Sequence, residues 1–313
     1  MRVLVTGAGG FVGSHLLREL TERGHEVFAG TFYSGIEINN CVRVEFNITD
    51  SNQVEAILRD IKPEGIIHLA AQSMVKYAWE NPIETIKVNT VGTLVLLETV
   101  KKYLQNTKVI CVGSSEEYGL SAIMGEPLTE EHHCLPQNPY ATSKLAAGLI
   151  AIQMAKKDML KVIHVRPFNH FGPGQQLGFV VSDFASQIAR IEQGFSGNLV
   201  KVGDLSAQRD FTDVRDVVKA YALLLENEVE LGIYNICSGI PRSAKEILES
   251  LVEMAKVDIC IEVDESRYRR SEVPLFIGSA RKIEREVSWR PEREFKESLM
   301  ETLEWWRENT KKI

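Results

Sequence analysis

The chain reads as an α/β protein with a doubly wound parallel sheet, and three observations carry that reading. Short β-rich runs at residues 3–5, 27–30, 42–46, 66–69, 109–112 and 162–165 alternate with stretches of helical periodicity. The first run leads straight into Thr6-Gly7-Ala8-Gly9-Gly10-Phe11-Val12-Gly13, with Leu16, Leu17 and Leu20 following at helical spacing. A chain of 313 residues with 44% hydrophobic content can bury the two-sided core that such a sheet needs.

Strand, glycine turn and helix in that order suit a dinucleotide. Glycines at 7, 10 and 13 permit a tight turn, let backbone N–H groups approach a pyrophosphate at the helix N-terminus, and let helix and strand pack closely. Further along, the longest helical pattern covers 83–103, and a second begins at Tyr140 and runs to 156. After Arg166-Pro167 the rhythm loosens: Gly172-Pro173-Gly174 marks a loop, 180–192 reads as a helix, and a charged C-terminal helix carries Trp305 and Trp306. A helix at 214–226 and a strand at 233–237 are expected to return to the first sheet. The expected division is a dinucleotide-binding Rossmann unit of residues 1–168 joined by 211–238, and a smaller, mostly C-terminal substrate-binding lobe of 169–210 and 239–313.

Charge narrows the partners. With 36 basic against 43 acidic residues and no long basic run, the net charge of −7 argues against a surface that tracks nucleic-acid phosphates. No signal-peptide layout and no apolar stretch of membrane-spanning length is present, so the expectation is a cytoplasmic protein with no membrane partner. Cys41, Cys111, Cys134, Cys237 and Cys260 are scattered and odd in number, which fits reduced thiols. His132-His133-Cys134 has no second ligand pair at suitable spacing, and no metal is expected.

The chemistry-bearing residues lie in two segments. In Asn138-Pro139-Tyr140-Ala141-Thr142-Ser143-Lys144, the tyrosine and lysine are one helical turn apart and project from one face. A phenol is a poor acid–base group at neutral pH, but a neighbouring ammonium favours its phenolate and brings it nearer to working range. The strand ending in Cys111-Val112-Gly113-Ser114-Ser115-Glu116-Glu117-Tyr118-Gly119 places serines at a carboxyl edge, where open α/β sheets bind ligands.

Together these segments resemble the extended short-chain dehydrogenase/reductase superfamily, in which the glycine turn, a serine or threonine after the fifth strand, and Y-x-x-x-K occur in this order. The resemblance spans almost the whole chain. It implies Ser114 as the hydroxyl that bonds the reacting sugar oxygen, Tyr140 as acid/base, and Lys144 as the residue that orients the cofactor ribose and tunes Tyr140. The cofactor-binding set it implies is Gly7, Gly10, Phe11, Val12, Gly13, Thr31, Asn47, Ile48, Leu69, Ala70, Ala71, Tyr140 and Lys144. Within it, His68-Leu69-Ala70-Ala71-Gln72 matches the segment passing beside the cofactor, and Asn89 matches the structural asparagine of the central helix. Asn47 departs from the family's usual aspartate near the adenine.

Longer motifs narrow the resemblance to the group acting on GDP-linked 6-deoxyhexoses. These are the loop from Arg166 to Gln175 (RPFNHFGPGQ), the run from Val202 to Phe211 (VGDLSAQRDF) and Arg269-Arg270-Ser271-Glu272-Val273. The substrate set they imply is Gln72, Ser115, Asn169, Val180, Lys201, Arg209, Arg269 and Glu272; guanidinium forks suit a diphosphate well.

Within that group the chain looks more like the reductases of GDP-4-keto-6-deoxy-D-mannose, which form GDP-6-deoxy-D-mannose (GDP-D-rhamnose). Gly113 to Gly119 and Gly174 to Val180 carry the likeness, and the G-Q-D-G form typical of GDP-mannose 4,6-dehydratases is replaced by Gly10-Phe11-Val12-Gly13. The alternative is a dehydratase using Glu116 as the base for the C5 proton, or another nucleotide-sugar epimerase. A dinucleotide-sensing regulator on the same fold is the non-enzyme reading. Thr31-Phe32-Tyr33-Ser34 offers neither an acid for a ribose nor an arginine for a 2′-phosphate, which favours NADP(H), with NAD(H) the alternative. Apolar faces on the helices at 83–103 and 140–156, with Val88, Val91 and Val95 on one and Leu145, Leu149 and Ile152 on the other, lead the resemblance to imply a homodimer through a four-helix bundle.

Overall fold

The computed structural model describes residues 1–32, 40–264 and 273–310. Tyr33, Ser34, Arg269 and Glu272 lie outside the described residues.

The chain begins with β1 (Arg2–Thr6), α1 (Phe11–Glu22), β2 (Glu26–Thr31), β3 (Val42–Glu45), α2 (Ser51–Ile61) and β4 (Gly65–His68). It continues through α3 (Val75–Glu80), α4 (Pro82–Ile86), α5 (Gly92–Tyr103), β5 (Lys108–Val112), α6 (Pro139–Asp158) and β6 (Lys161–Pro167). Then come β7 (Asn169–Phe171), α7 (Val180–Glu192), β8 (Leu199–Val202), β9 (Gln208–Asp213), α8 (Val214–Glu226) and β10 (Gly232–Ile236). The described chain closes with β11 (Pro241–Ser243), α9 (Ala244–Glu253), β12 (Cys260–Val263), β13 (Leu275–Phe276), α10 (Arg281–Val287) and α11 (Phe295–Asn309).

Seven strands form one parallel sheet in the order β10-β6-β5-β4-β1-β2-β3. The order runs outward in both directions from β1 and β4, so the crevice above their carboxyl ends is the switch point where such sheets hold ligands. Alternation along each strand explains the two covered faces. Val3, Val5, Ile67, Ile110 and Ile163 point toward α1 and α8, whereas Leu4, Ile66, Val109 and Val162 point toward α2, α5 and α6. A third core, built from Phe184, Ile188, Leu251, Leu299 and Trp306, holds α7, α9 and α11 together.

The helix expected over 83–103 is divided. A π turn at Lys87–Val91 separates α4 from α5. The wide turn aims Asn89 inward, and at the following Gly92 a side chain would press on Ile48, with a Cβ 3.0 Å from its Cγ2. The short strands β7 to β9 and β11 to β13 add pairs in the C-terminal part, including β9 flanked by β11, β13 and β7. Among the described residues no helix is long and apolar enough to cross a membrane.

Trp289 ties the end of α10 to the sheet. It is 2% exposed, packs with Leu16, Val217 and Tyr221, and donates its indole N–H to the Asp216 carbonyl at 2.9 Å. Trp289→Ala leaves a large void, so urea unfolding is expected to show a loss of about 3–5 kcal/mol. A loss below about 1 kcal/mol would mean that this corner of the core collapses to fill the gap.

Candidate active site

The three glycines of the first turn have three separate reasons. Gly7 has φ 69°, and a methyl there would sit 2.7 Å from the Ala70 amide nitrogen. At Gly13 a methyl would sit 2.4 Å from the Ala8 carbonyl oxygen, so helix and turn can touch only without one. Gly10 is open, its nearest neighbour in the direction of a Cβ being the Gly7 oxygen at 3.4 Å, and it begins α1 with no side-chain cap. The first-turn N–H groups of Phe11, Val12 and Gly13 therefore have no side-chain acceptor from the cap residue, which suits an anionic group at this helix end.

Other parts of the proposed cofactor cradle behave unevenly. Thr31, at the carboxyl end of β2, has a buried hydroxyl with no hydrogen-bond partner, the kind of atom a bound group could satisfy. Leu69 and Ala70 are drawn in by Thr6, whose carbonyl accepts the Leu69 N–H at 3.1 Å and whose hydroxyl accepts the Ala70 N–H at 3.2 Å. Ala71 is half-buried beside them. Asn47 folds its carboxamide oxygen onto Thr49, accepting N–H at 3.0 Å and O–H at 2.9 Å, while Ile48 is buried against the opposite core. Asn47 Oδ1 and the Ile48 side chain thus serve the local turn and the core. The residues at Gly7, Gly10, Gly13 and Thr31 fit a dinucleotide; it would lie with its diphosphate over α1.

Asn89 organises the neighbouring loop. Its oxygen accepts the Gln72 N–H at 2.8 Å, and its amide reaches the Gln72 carbonyl at 3.0 Å and the Ser143 hydroxyl at 2.9 Å. Gln72 keeps a buried side-chain oxygen with no partner. His68 bridges Thr6 at 2.7 Å and Thr93 at 3.0 Å, and burial together with the charge of Lys144 holds its imidazole down at about 3.

At the carboxyl end of β5, Ser114 caps a single 3₁₀ turn, its oxygen accepting the Glu116 N–H at 3.1 Å. Asn138 caps α6 by accepting the Ala141 N–H at 2.8 Å, and Pro139 follows, which puts Tyr140 in the first turn and Lys144 one turn later. Burial pushes the Tyr140 phenol up to about 12; the neighbouring Ser114 side chain opposes this, and the charges of Glu116 and Glu117 add to it. Lys144 donates to the Val112 carbonyl at 2.7 Å, and burial pushes its ammonium down to about 8 against the pull of Glu117 and Cys111. In the protein alone Lys144 is not among the groups that move Tyr140, and desolvation pushes the phenol away from its phenolate.

Glu116 and Arg209 approach the same place from different elements. A Glu116 oxygen accepts from the Asn138 amide at 3.2 Å, and its charge offsets the cost of burying the Arg209 guanidinium. Arg209 lies 5.9 Å from the Phe276 ring centre and donates to the Gln208 carbonyl at 2.7 Å. Ser115 is buried within the turn. Asn169 lies on β7 opposite Phe211 of β9. Val180 and Lys201 line a groove of about 290 Å³ with Asp183, Gln187, Asp204 and Leu205. The histidine-rich loop at 132–134 makes a local turn, with His132 accepting the Thr129 N–H at 3.0 Å, and no metal-binding cluster occurs among the described residues.

Three features escaped sequence reasoning. Asp210, next to Arg209, accepts from Ser238 N–H at 2.7 Å, Ser238 O–H at 2.6 Å and Gly239 N–H at 2.8 Å. Phe11 meets His15 edge-on at 5.4 Å and stacks on His170 at 6.3 Å, joining the glycine turn to the loop after β7. Beneath Ser114 lies a buried charged cluster of Glu117, His164 and Arg166. The glycines at 113 and 148, which flank the His164 ring, were its only trace in the sequence.

The sequence model of one family, described as GDP-mannose 4,6 dehydratase, matches residues 4–302. The chain belongs to the GDP-mannose 4,6-dehydratase family. It is 35% identical over 305 residues to the GDP-6-deoxy-D-mannose reductase of Pseudomonas aeruginosa, covering 97% of each chain. With the GDP-6-deoxy-D-talose 4-dehydrogenase of Aggregatibacter actinomycetemcomitans it shares 30% over 287 residues, 90% of each. The solved structure of RMD from Pseudomonas aeruginosa complexed with NADPH superposes with a TM-score of 0.87 at 34% identity, covering 98% of this chain and 99% of that one.

The displaced Lys144 value has a measurable sign. Below pH 8 the lysine is charged folded and unfolded alike, and burying it is a standing cost. Between about 8 and the ordinary 10.5 the unfolded chain holds the extra proton, so this group makes stability rise with pH. Above 10 Tyr140 acts oppositely, because the unfolded phenol loses its proton first. Lys144→Met is expected to remove the rise between pH 8 and 10 in denaturant titrations. Parallel profiles for the variant and the parent protein would rule the assignment out.

Proposed function

We propose that this chain, a nucleotide-sugar oxidoreductase by family, reduces the 4-keto group of GDP-4-keto-6-deoxy-D-mannose to give GDP-6-deoxy-D-mannose. The observation that carries the reading is the placement of the Tyr140 phenol, in the first turn of α6, beside Ser114, which caps the turn after β5 at the sheet's carboxyl edge. A proton donor must hold its proton until charge develops on the acceptor, and a phenol does so at neutral pH.

A bound nicotinamide supplies the hydride. Tyr140 gives its proton to the emerging C4 alkoxide, while Ser114, whose oxygen already accepts from Glu116 N–H, has its own O–H to offer the same oxygen. Lys144, fixed on the Val112 carbonyl, sits one turn along α6 where it meets a ribose and supports the charge left on Tyr140. NADPH is the favoured donor and NADH the alternative, in keeping with the NADPH held by the Pseudomonas structure. Arg209 and Asn169, with Arg269 and Glu272 from the segment outside the described residues, are the proposed holders of the GDP moiety; Gln72, Ser115, Val180 and Lys201 complete the proposed substrate set.

Residues 1–168 with 211–238 serve as the dinucleotide unit, and 169–210 with 239–313 as the substrate lobe. A second copy of the chain is the proposed partner of the face formed by Trp79, Ile83, Ile86, Val91 and Leu149, exposed apolar side chains on or beside α3 to α6.

The dehydratase alternative keeps one supporting observation, the Glu116 carboxylate two residues beyond Ser114. Product analysis by NMR separates the two. With GDP-mannose alone the protein is expected to do nothing, and with GDP-4-keto-6-deoxy-D-mannose it is expected to oxidise NADPH. Formation of a 4-keto sugar from GDP-mannose would give the chemistry to Glu116 instead. Tyr140→Phe is expected to lower turnover by about 10²–10⁴-fold with cofactor affinity kept; unchanged turnover would favour a nucleotide sensor.

A further inference from the structure

Glu117 takes no part in the reaction just described, yet it is fully buried at 0% exposure directly below Ser114. One of its oxygens accepts the Ser114 N–H at 2.9 Å. The other accepts the Arg166 Nε–H at 2.7 Å, and the His164 imidazole reaches the two at 3.0 and 3.1 Å. Arg166 in turn lies over the Tyr118 ring at 4.7 Å.

A glutamate at the third position of a capped turn is ordinarily a surface residue answering its cap. Here it answers its cap and also reaches Arg166 and His164 of β6, and burying such a pair works against stability unless the geometry is needed. Burial works against the carboxylate, but His164 and Arg166 together hold it below the usual range, so it stays an acceptor. The His164 ring is wedged between two elements of the proposed site. A methyl at Gly113 would lie 2.4 Å from its Cε1, and a methyl at Gly148 of α6 would lie 2.5 Å from its Nε2. The same ring therefore touches the segment that carries Ser114 and the helix that carries Tyr140 and Lys144.

We propose that Glu117, His164 and Arg166 are positioning residues that fix the Ser114 turn relative to α6, and so set how Ser114 and Tyr140 share one acceptor oxygen. This rests on the reductive reading of the site. The cluster touches neither cofactor nor sugar; it acts through Ser114.

Removing both charges together avoids stranding either one, so the test uses Glu117→Leu/Arg166→Met beside Glu117→Gln/Arg166→Met, in which the amide oxygen can still accept the Ser114 N–H. The leucine variant is expected to lose about 10–100-fold in kcat with the NADPH dissociation constant unchanged, and the glutamine variant to recover most of it. In a Ser114→Ala background the leucine pair should cost less than about twofold more, because its effect is already spent. Multiplying losses, or equal rates for the two pairs, would overturn the proposal while leaving the reductase reading intact. If the parent protein shows no turnover, amide exchange decides: the 113–119 peptide must exchange faster in the leucine pair while the peptide over β1 does not change. Should that pair fail to fold, Gly148→Ala, which pushes on His164 from α6, is carried through the same Ser114→Ala cycle with the same criteria.

Discussion

The close approach of two backbone segments at the centre of the sheet governs the rest of the molecule. Thr6 ends β1 and His68 ends β4, and their 2.7 Å hydrogen bond joins the two strands at the point where chain order diverges. Gly7 then turns back over Ala70 at a distance no side chain would allow. Because that contact draws the 69–72 loop against the glycine turn, one wall of the crevice is made of backbone N–H groups. The other wall is the edge of β5 with its serine turn. Every proposed role depends on this opening being narrow enough for a dinucleotide and open enough for a sugar.

Desolvation decides the charge states around the opening. Burial keeps Tyr140 a phenol and weakens Lys144 as an ammonium, while His68 stays neutral beside it. A neutral imidazole there avoids a second positive charge in the same wall. Glu117 and Arg166 balance each other below, so the site can hold a carboxylate close to a tyrosine without being strongly anionic overall. Polar bonds do the positioning and apolar packing does the sealing. That division suits chemistry in which one proton and one hydride must reach a single carbonyl.

How much of this the sequence discloses depends on the range over which each feature is encoded. Local patterns carry the main sheet: β-rich runs with alternate faces place β1 to β6, and helical periodicity with the Asp213 cap places α8. The π turn escapes notice because its cause, Asn89 bonding a loop 17 residues earlier, is tertiary. Strand β9 escapes because Gln208-Arg209-Asp210 reads as a polar loop until β11 and β13 pair with it. Tyr140 and Lys144 are visible because one helical turn brings them together. The burial that pushes the Tyr140 phenol up comes from neighbouring elements that a local motif does not specify. Glu117 with His164 is hidden for the same reason: 47 residues separate them, and only two unremarked glycines make room.

The lobe that carries Arg209 is joined to the sheet by directional bonds as well as by apolar contacts, Ile283 and Trp289 sharing the core around Leu16 and Val217. Its own core lies among α7, α9 and α11, apart from both faces of the sheet. Closer to Arg209 the link is a small cluster of Tyr118, Leu128, Phe168, Cys237 and Phe276, together with the bonds to Asp210. Asp210 gathers N–H groups from Ser238 and Gly239, just after β10, and from Gly278 at 3.3 Å, just after β13. Since β10 is itself an edge strand of the main sheet, the carboxylate registers β9, and hence Arg209, to the sheet's carboxyl edge. Burial raises the Asp210 carboxyl and these donors pull against it, so the register is held by a buried carboxyl group that they hydrogen-bond in place of water. The register thereby holds the guanidinium beside Phe276, where it feels the Glu116 charge.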